Sequence, residues 1–360
     1  MSETFIGLMS GTSRDAIDAA ALDISHSRIA LTATHSMPLP DELRALIAAV
    51  SDGTDDSLDS VMALSVDLSR AFAECANQLI TKIAHQPRAI GCHGQTVRHR
   101  PEKQFTVQLG NGAMIAQLTQ SPTVTDFRSA DIALGGQGAP LVPAFHRAVF
   151  ASENENRAVV NIGGIANITI LTQDGVVTGF DTGPGNTLLD AWYREHVGGE
   201  WDQDGRWSES GTIDESLVER MLADPYFSNA PPKSTGLEYF NRDWLTTFLS
   251  GNENPADVQA CLRLLTAKSI ALSIQNAEEI IDRVYLCGGG ALNGALRREL
   301  RSALPDIEIA TTETLGIDPK WVEASAFAWL AHRRIEDLPG NIPSVTGAAR
   351  EAVLGALYLP

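Results

Sequence analysis

Residues 5–18 read "FIGLMSGTSRDAID". Phe5, Ile6, Leu8 and Met9 spell a short buried strand, and Ser10, Gly11, Thr12 and Ser13 crowd the turn that follows it. Residues 16–24 resume as a second strand. Glycine in such a turn lets backbone N–H groups approach an oxyanion with no Cβ in the way, and serine or threonine adds hydroxyl donors. The stretch therefore reads as a hairpin that presents its backbone to a ligand.

Working outward, "SRIALTATHSMPLP" supplies a third strand that Pro38 and Pro40 stop. A helix starts at Asp41. A longer one over 57–84 carries Val61, Leu64, Leu68, Phe72, Cys75, Leu79 and Ile83 as one apolar stripe. "RAIGCHGQT" reads as strand into glycine turn, "QFTVQLGN" as another strand, and a helix over 113–118 and a strand over 123–127 complete the half. The pattern then restarts. "RAVVNIGGIANITILTQDGVVTGFDTGPGN" gives strands over 158–162, 168–171 and 176–180, followed by a helix over 187–196. Helices near 255–277, 292–303 and 321–335 alternate with strands at 283–287 and 307–311.

Three strands, tight turns and a helix thus occur twice, which predicts an α/β protein of two duplicated domains with mixed sheets and a cleft between them. We expect the first domain at 1–128 together with 337–360 and the second at 129–336, with an insertion near 198–245. The Gly/Pro-rich "GGQGAPLVPAF" at 135–145 is expected to be either a crossing between them or an ordinary loop.

Composition sets the outer limits. A chain of 360 residues is long for one core. Its formal charge of −18 argues against a broad face for duplex nucleic acid, and means that an anionic ligand needs backbone amides, a metal ion or a few placed basic residues. Cys75, Cys92, Cys261 and Cys287 form no C-x-x-C pair, which argues against a zinc site or a disulfide framework. The polar "MSET" start lacks a secretory apolar region, and no run of about 18 apolar residues occurs. The expectation is a soluble, cytoplasmic protein with no membrane partner.

Three turns could hold phosphate: "GLMSGTSRD", "NIGGIAN" with Asn161, Gly163 and Gly164, and "CGGGALN" with Gly288, Gly289 and Gly290. None is a Walker A loop or a dinucleotide fingerprint. Asp181 in "GFDTGPGN" stands at the carboxyl end of an expected strand, where a general base would meet substrate, unless it only caps the next turn. Asp15 or Asp18 could hold Mg²⁺ through water. His93 and Gln95 are candidate polar donors, Arg98 and Arg100 read as solvated, and Arg128 is placed either for an anionic group or for a surface salt bridge.

Together "GLMSGTSRDAID", "GCHGQTVRH", "TDFRSADIALGGQGAPLVP", "NIGGIANIT", "FDTGPGN", "PKSTG", "LCGGGALN" and "EASAFAWLAHR" resemble the anhydro-N-acetylmuramic acid kinase family across nearly the whole chain. The resemblance implies two actin/hexokinase-like, ribonuclease H-like domains. It also implies conversion of 1,6-anhydro-N-acetylmuramic acid, ATP and water to N-acetylmuramic acid 6-phosphate and ADP, a step in recycling cell-wall sugars. ATP contacts carry over onto Gly11, Thr12, Ser13, Arg14, Asp15, Ala16, Ile17 and Asp18, the water-activating base onto Asp181, and sugar contacts onto Arg128 and Glu323. The assembly it suggests is a homodimer, on which the sequence itself is silent. One departure is Arg14-Asp15-Ala16, where the family usually has Leu-Asp-Gly. Alternatives are an ordinary kinase acting on a free sugar hydroxyl, a non-catalytic nucleotide-dependent regulator, and a glycosidase using Asp181 and Glu323.

Overall fold

The computed structural model describes residues 2–11, 14–25, 28–231 and 233–360. Contacts divide the chain into two compact units, residues 1–149 with 321–360, and residues 150–320. Thr12 and Ser13 of the opening turn lie outside the described residues.

In the first unit, β1 (Glu3–Met9) lies between β2 (Ala16–Ser25), antiparallel, and β4 (Ala89–Cys92), parallel. β3 (Arg28–Pro38) extends one side. β7 (Thr123–Thr125) and the C-terminal strand Ala356–Tyr358 extend the other. Between β4 and β7 the chain folds out a separate two-stranded ribbon, β5 (Gln95–Arg100) with β6 (Phe105–Leu109). Being central, β1 is buried on both faces, and its alternation divides the work. Ile6 and Leu8 join the core built with the helices Asp41–Asp52 and Leu58–Ile80. Phe5 and Gly7 face the helix Val322–Ile335: Phe5 packs edge-on to His332, with ring centroids 5.2 Å apart. A Cβ on Gly7 would overlap the backbone of Ala324 and Ala328, and one on Gly91 that of Phe327.

In the second unit, β8 (Arg157–Ile162) lies between antiparallel β9 (Ile165–Leu171) and parallel β11 (Arg283–Cys287), with β10 (Val177–Pro184) and β12 (Glu308–Thr311) at the two edges. β3-β2-β1-β4-β7 in one unit and β10-β9-β8-β11-β12 in the other are the same mixed sheet, with the same parallel and antiparallel pairings. The duplication and the α/β class read from the sequence are present. The core of this unit packs the helices Pro255–Gln275 and Gly294–Ala303 on the sheet. A second cluster, built around Trp192, Tyr226, Phe240 and Leu262, covers the segment between β10 and the long helix.

The boundaries differ from those expected. Residues 129–149 and 321–336 pack with the first unit. The two glycines explain the latter, since they let Val322–Ile335 lie against β1 and β4. The former is tied down by Asp131, which is fully buried and accepts hydrogen bonds from Gly138 N (2.8 Å), Asn341 Nδ2 (2.7 Å) and Thr346 Oγ1 (2.7 Å). A buried carboxylate holding the loop to the C-terminal segment is the opposite of a hinge. The 135–145 stretch is therefore a packed loop running into the helix Val142–Phe150, inside one unit.

Candidate functional site

The first unit gathers His93, Arg128 and Glu323. Arg128 donates from Nε (3.2 Å) and Nη2 (2.8 Å) to His93 Nε2, and from Nη1 to the Gly138 carbonyl (2.6 Å). This geometry makes His93 an acceptor, hence neutral with its proton on Nδ1. Burial, then the neighbouring guanidinium, hold its pKa well below the ordinary histidine range. Arg128 is lowered to about 10 by burial, with Glu323 and Asp131 opposing the shift. A guanidinium has five N–H donors, more than these three contacts use, and its planar fork suits a carboxylate. Glu323, in the first turn of Val322–Ile335, is raised above the usual carboxylate range by burial, then by Asp18, while Arg128 lowers it. Phe327 of the same helix packs against His93, the rings tilted by 42° with centroids 4.6 Å apart. Arg128 is thus no surface salt bridge. Arg98 is not solvated either: it donates to the Val50 and Ser51 carbonyls (2.7 Å each) and to Asp56 (2.8 Å), closing the end of the helix Asp41–Asp52.

The opening turn leaves β1 at Ser10, whose hydroxyl donates to Gln95 Oε1 (2.7 Å), both side chains being buried. Gly11 accepts from Arg14 N (3.2 Å). Among the described residues of the turn, Arg14 is left-handed, with φ 58°, and Ala16 is already in β2. Replacement of the family's glycine by Ala16 therefore meets no conformational obstacle. Ile17 is core, so its share of any ligand contact is through backbone. Asp15 is exposed and Asp18 half-buried, with Asp18 Oδ1 accepting from Ser36 Oγ (2.6 Å). Among the described residues no group of three or more His, Cys, Asp or Glu could hold a metal ion. Hard carboxylate oxygens at Asp15 and Asp18 still suit a Mg²⁺ that keeps its waters and takes its other ligands from phosphates.

In the second unit the glycine turns interlock. The Gly163 carbonyl accepts from Asn186 N (2.8 Å), and that of Gly164 from Gly185 N (2.9 Å) and Thr187 N (3.0 Å), at the start of the helix Thr187–His196. Asn161 is buried at the end of β8, opposite Cys287. The triple glycine divides into two kinds. A Cβ on Gly288 would strike Asn161 and Ile162, and one on Gly290 would strike Ile162, so these two are glycine for packing. Gly289 is exposed and meets nothing nearer than 3.9 Å, which leaves its face open to a ligand.

Asp181 is not at a strand end, because β10 runs on to Pro184; it sits beside a bulge between Asp181 and Gly183 on the edge strand. Three residues that sequence reasoning missed enclose it. Asp181 N donates to the Lys233 carbonyl (3.1 Å), the Asp181 carbonyl accepts from Tyr226 Oη (2.7 Å), and Oδ2 accepts from Thr235 N (3.0 Å). Burial raises its carboxyl to about 6, the Thr235 N–H opposing and the charge of Glu238 adding. A carboxylate with that affinity takes a proton near neutrality and releases it again, as a general base must. The only sequence signal was "PKSTG", which carries Lys233 and Thr235.

No helix among the described residues is long and apolar enough to cross a membrane. A family model, anhydro-N-acetylmuramic acid kinase, matches residues 3–360. An anhydro-N-acetylmuramic acid kinase of Nitrosomonas europaea is 48% identical over 359 residues, 98% of this chain and 99% of the relative. One of Coxiella burnetii is 48% identical over 99% of this chain and 97% of its own. Among solved structures, the activator of 2-hydroxyisocaproyl-CoA dehydratase from Clostridium difficile, with bound ADPNP, covers 92% of this chain and 96% of its own at TM-score 0.47 and 13% identity. With the glycine turns, the enclosed Asp181 and the buried Arg128–His93 contact in place along a match of this length, the chain belongs to the anhydro-N-acetylmuramic acid kinase family.

Proposed function

We propose that the protein is an ATP-dependent hydrolysing kinase that converts 1,6-anhydro-N-acetylmuramic acid to N-acetylmuramic acid 6-phosphate in the cytoplasm. Membership of the family makes it a phosphotransferase. The observation that supports the hydrolytic step is the state of Asp181, half-buried, raised to about 6, and, among the described residues, hydrogen-bonded through one carboxylate oxygen. Water loses a proton to Asp181 and bonds to the anomeric carbon. The bond from that carbon to O6 breaks, O6 attacks the γ-phosphorus, and the bond to the bridging oxygen breaks to release ADP. Phosphoryl transfer is mostly positioning and charge neutralisation. Backbone amides near Gly11 and Arg14, the turns at Asn161, Gly163 and Gly164, and the open face of Gly289 are assigned to the nucleotide. Mg²⁺, touched through water by Asp15 or Asp18, supplies charge neutralisation at the phosphates. Arg128 is assigned to the sugar's carboxylate, held in line by His93, and Glu323 to its hydroxyl or amide groups. The repeated strand order supports reading both units as actin/hexokinase-like domains, and a homodimer is the assembly we would look for first.

The test is the reaction in ¹⁸O-water with ATP–Mg²⁺ and the anhydro-sugar. Label at C1 of the phosphorylated product is expected. Unlabelled product would mean transfer to a free hydroxyl without hydrolysis, and absence of any phosphorylated sugar would leave a nucleotide-binding protein.

A further inference from the structure

β10 is an edge strand, so the outward N–H and C=O groups of Asp181 have no partner from the sheet. The helix Pro225–Ser228 and the segment that follows it toward the helix Arg242–Thr246 supply those partners, and a third for the side chain. This segment is itself fastened at Asp224, whose carboxylate accepts from Tyr226 N (2.9 Å), Tyr239 Oη (2.7 Å) and Trp244 Nε1 (2.9 Å). The Tyr226 ring is buried in edge contact with Phe227 and Phe240, and Lys233 Nζ lies 4.8 Å from its centre while donating to the Tyr226 and Phe227 carbonyls. No described residue hydrogen-bonds to Asp181 Oδ1.

We propose that residues 225–231 and 233–236 act as a strap that aims the base: Tyr226 and Thr235 are positioning residues that fix the Asp181 backbone and Oδ2, leaving Oδ1 to take the proton. This rests on Asp181 being the base. One hydroxyl sets where the carbonyl, and so the Cα, of Asp181 lies, and one amide sets its carboxylate rotamer. The same amide stabilises the charged form, so the strap also sets the proton affinity. The charged groups acting on Asp181 are few. Glu238 raises its pKa, and the Lys233 ammonium is spent on carbonyls and aromatic faces. The Thr235 N–H is therefore the main counterweight to burial.

The experiment follows turnover of the full-length protein from pH 4.5 to 9, for wild type, Tyr226→Phe, Thr235→Pro, Tyr239→Phe and Asp181→Asn, with ATP–Mg²⁺ and anhydro-sugar. Tyr226→Phe keeps the ring packing and deletes one hydrogen bond to Asp181. We expect kcat to fall about tenfold with both KM values within about twofold, and the acid limb to move toward neutral pH. Thr235→Pro deletes the N–H and is expected to move that limb further. Tyr239→Phe loses a hydroxyl just beyond the strap, one that donates to Asp224 and does not reach Asp181, and is expected to keep wild-type kcat and acid limb. Wild-type kcat and acid limb in Tyr226→Phe, or losses no larger than those of Tyr239→Phe, would overturn the strap, and this variant decides should Thr235→Pro not fold. A folded Thr235→Pro with an unmoved limb would also overturn it. Near-normal turnover in Asp181→Asn would instead remove the base reading itself, whereas a dead Asp181→Asn beside unaffected strap variants would sink this inference alone.

Discussion

A single carboxyl carries most of the chemistry assigned here, and its environment makes two demands that oppose each other. The proposed mechanism needs Asp181 ionised; burial resists ionisation and lifts the carboxyl to about 6. Activity at limiting substrate should therefore fall about tenfold per pH unit below about 6, measured as kcat/KM across pH. A profile flat down to pH 4.5 would contradict it. For stability the sign runs the other way. A carboxyl raised above its ordinary 3.8 contributes stability that is complete below that value and is lost as pH rises through about 6. Asp181→Asn keeps the shape and an acceptor for the Thr235 N–H but removes the charge. It should lose about 10³-fold in kcat, the scale of a deleted general base. It should also unfold later than wild type at pH 8, by about 1–3 kcal/mol, a difference that shrinks toward pH 4. Thermal melts at the two pH values check the second claim, and a variant less stable than wild type at pH 8 would refute it.

Two strand glycines decide where a helix lies, and with it Glu323. Gly7 and Gly91 sit on neighbouring buried strands where any Cβ would enter the backbone of Val322–Ile335. Gly91→Ala should cost about 3 kcal/mol in denaturant unfolding, as overpacking against backbone that cannot rotate away. It should also raise the KM for sugar more than that for ATP, because the displaced helix carries Glu323 and the Phe327 ring against His93. An alanine variant within about 0.5 kcal/mol of wild type would show that the helix has room to move. A glycine inside a buried strand is a legible sign of close backbone approach, but it does not say what approaches. For that reason the strand order and both hairpins could be read from the sequence, while the helix 321–335, contiguous in sequence with the second unit, was placed there instead of in the first. The same limit hid the surroundings of Asp181. "FDTGPGN" marks the carboxylate, but Tyr226 and Thr235 lie 45 and 54 residues further along. Asp131, buried against Asn341 and Thr346, is more remote still from its partners and carried no local signal.

Across the whole molecule the soft, oxidisable thiols are closed off. The four cysteines are buried, two in each unit: Cys75 and Cys92, then Cys261 and Cys287. Burial pushes the Cys75 and Cys92 thiols up to about 12, and raises Cys261, so almost none is thiolate near neutrality. A thiol at about 12 is about 0.01% ionised at pH 8, against roughly a quarter for a free cysteine near 8.5. The reacting atom is also covered by packed side chains. The native protein should therefore show no fast thiol with a disulfide reagent at pH 8, and all four should react once guanidinium unfolds it. Because the pairs divide between the units, peptide mapping of the labelled sites at rising denaturant reads the opening of each sheet separately. Cys92 ends β4 in the core shared with the Leu58–Ile80 helix, and Cys287 ends β11 just before the glycine turn. Labelling of Cys92 at the rate of a free cysteine in the native protein would mean that the first unit's sheet is not closed as described, and the same result at Cys287 would say so of the second.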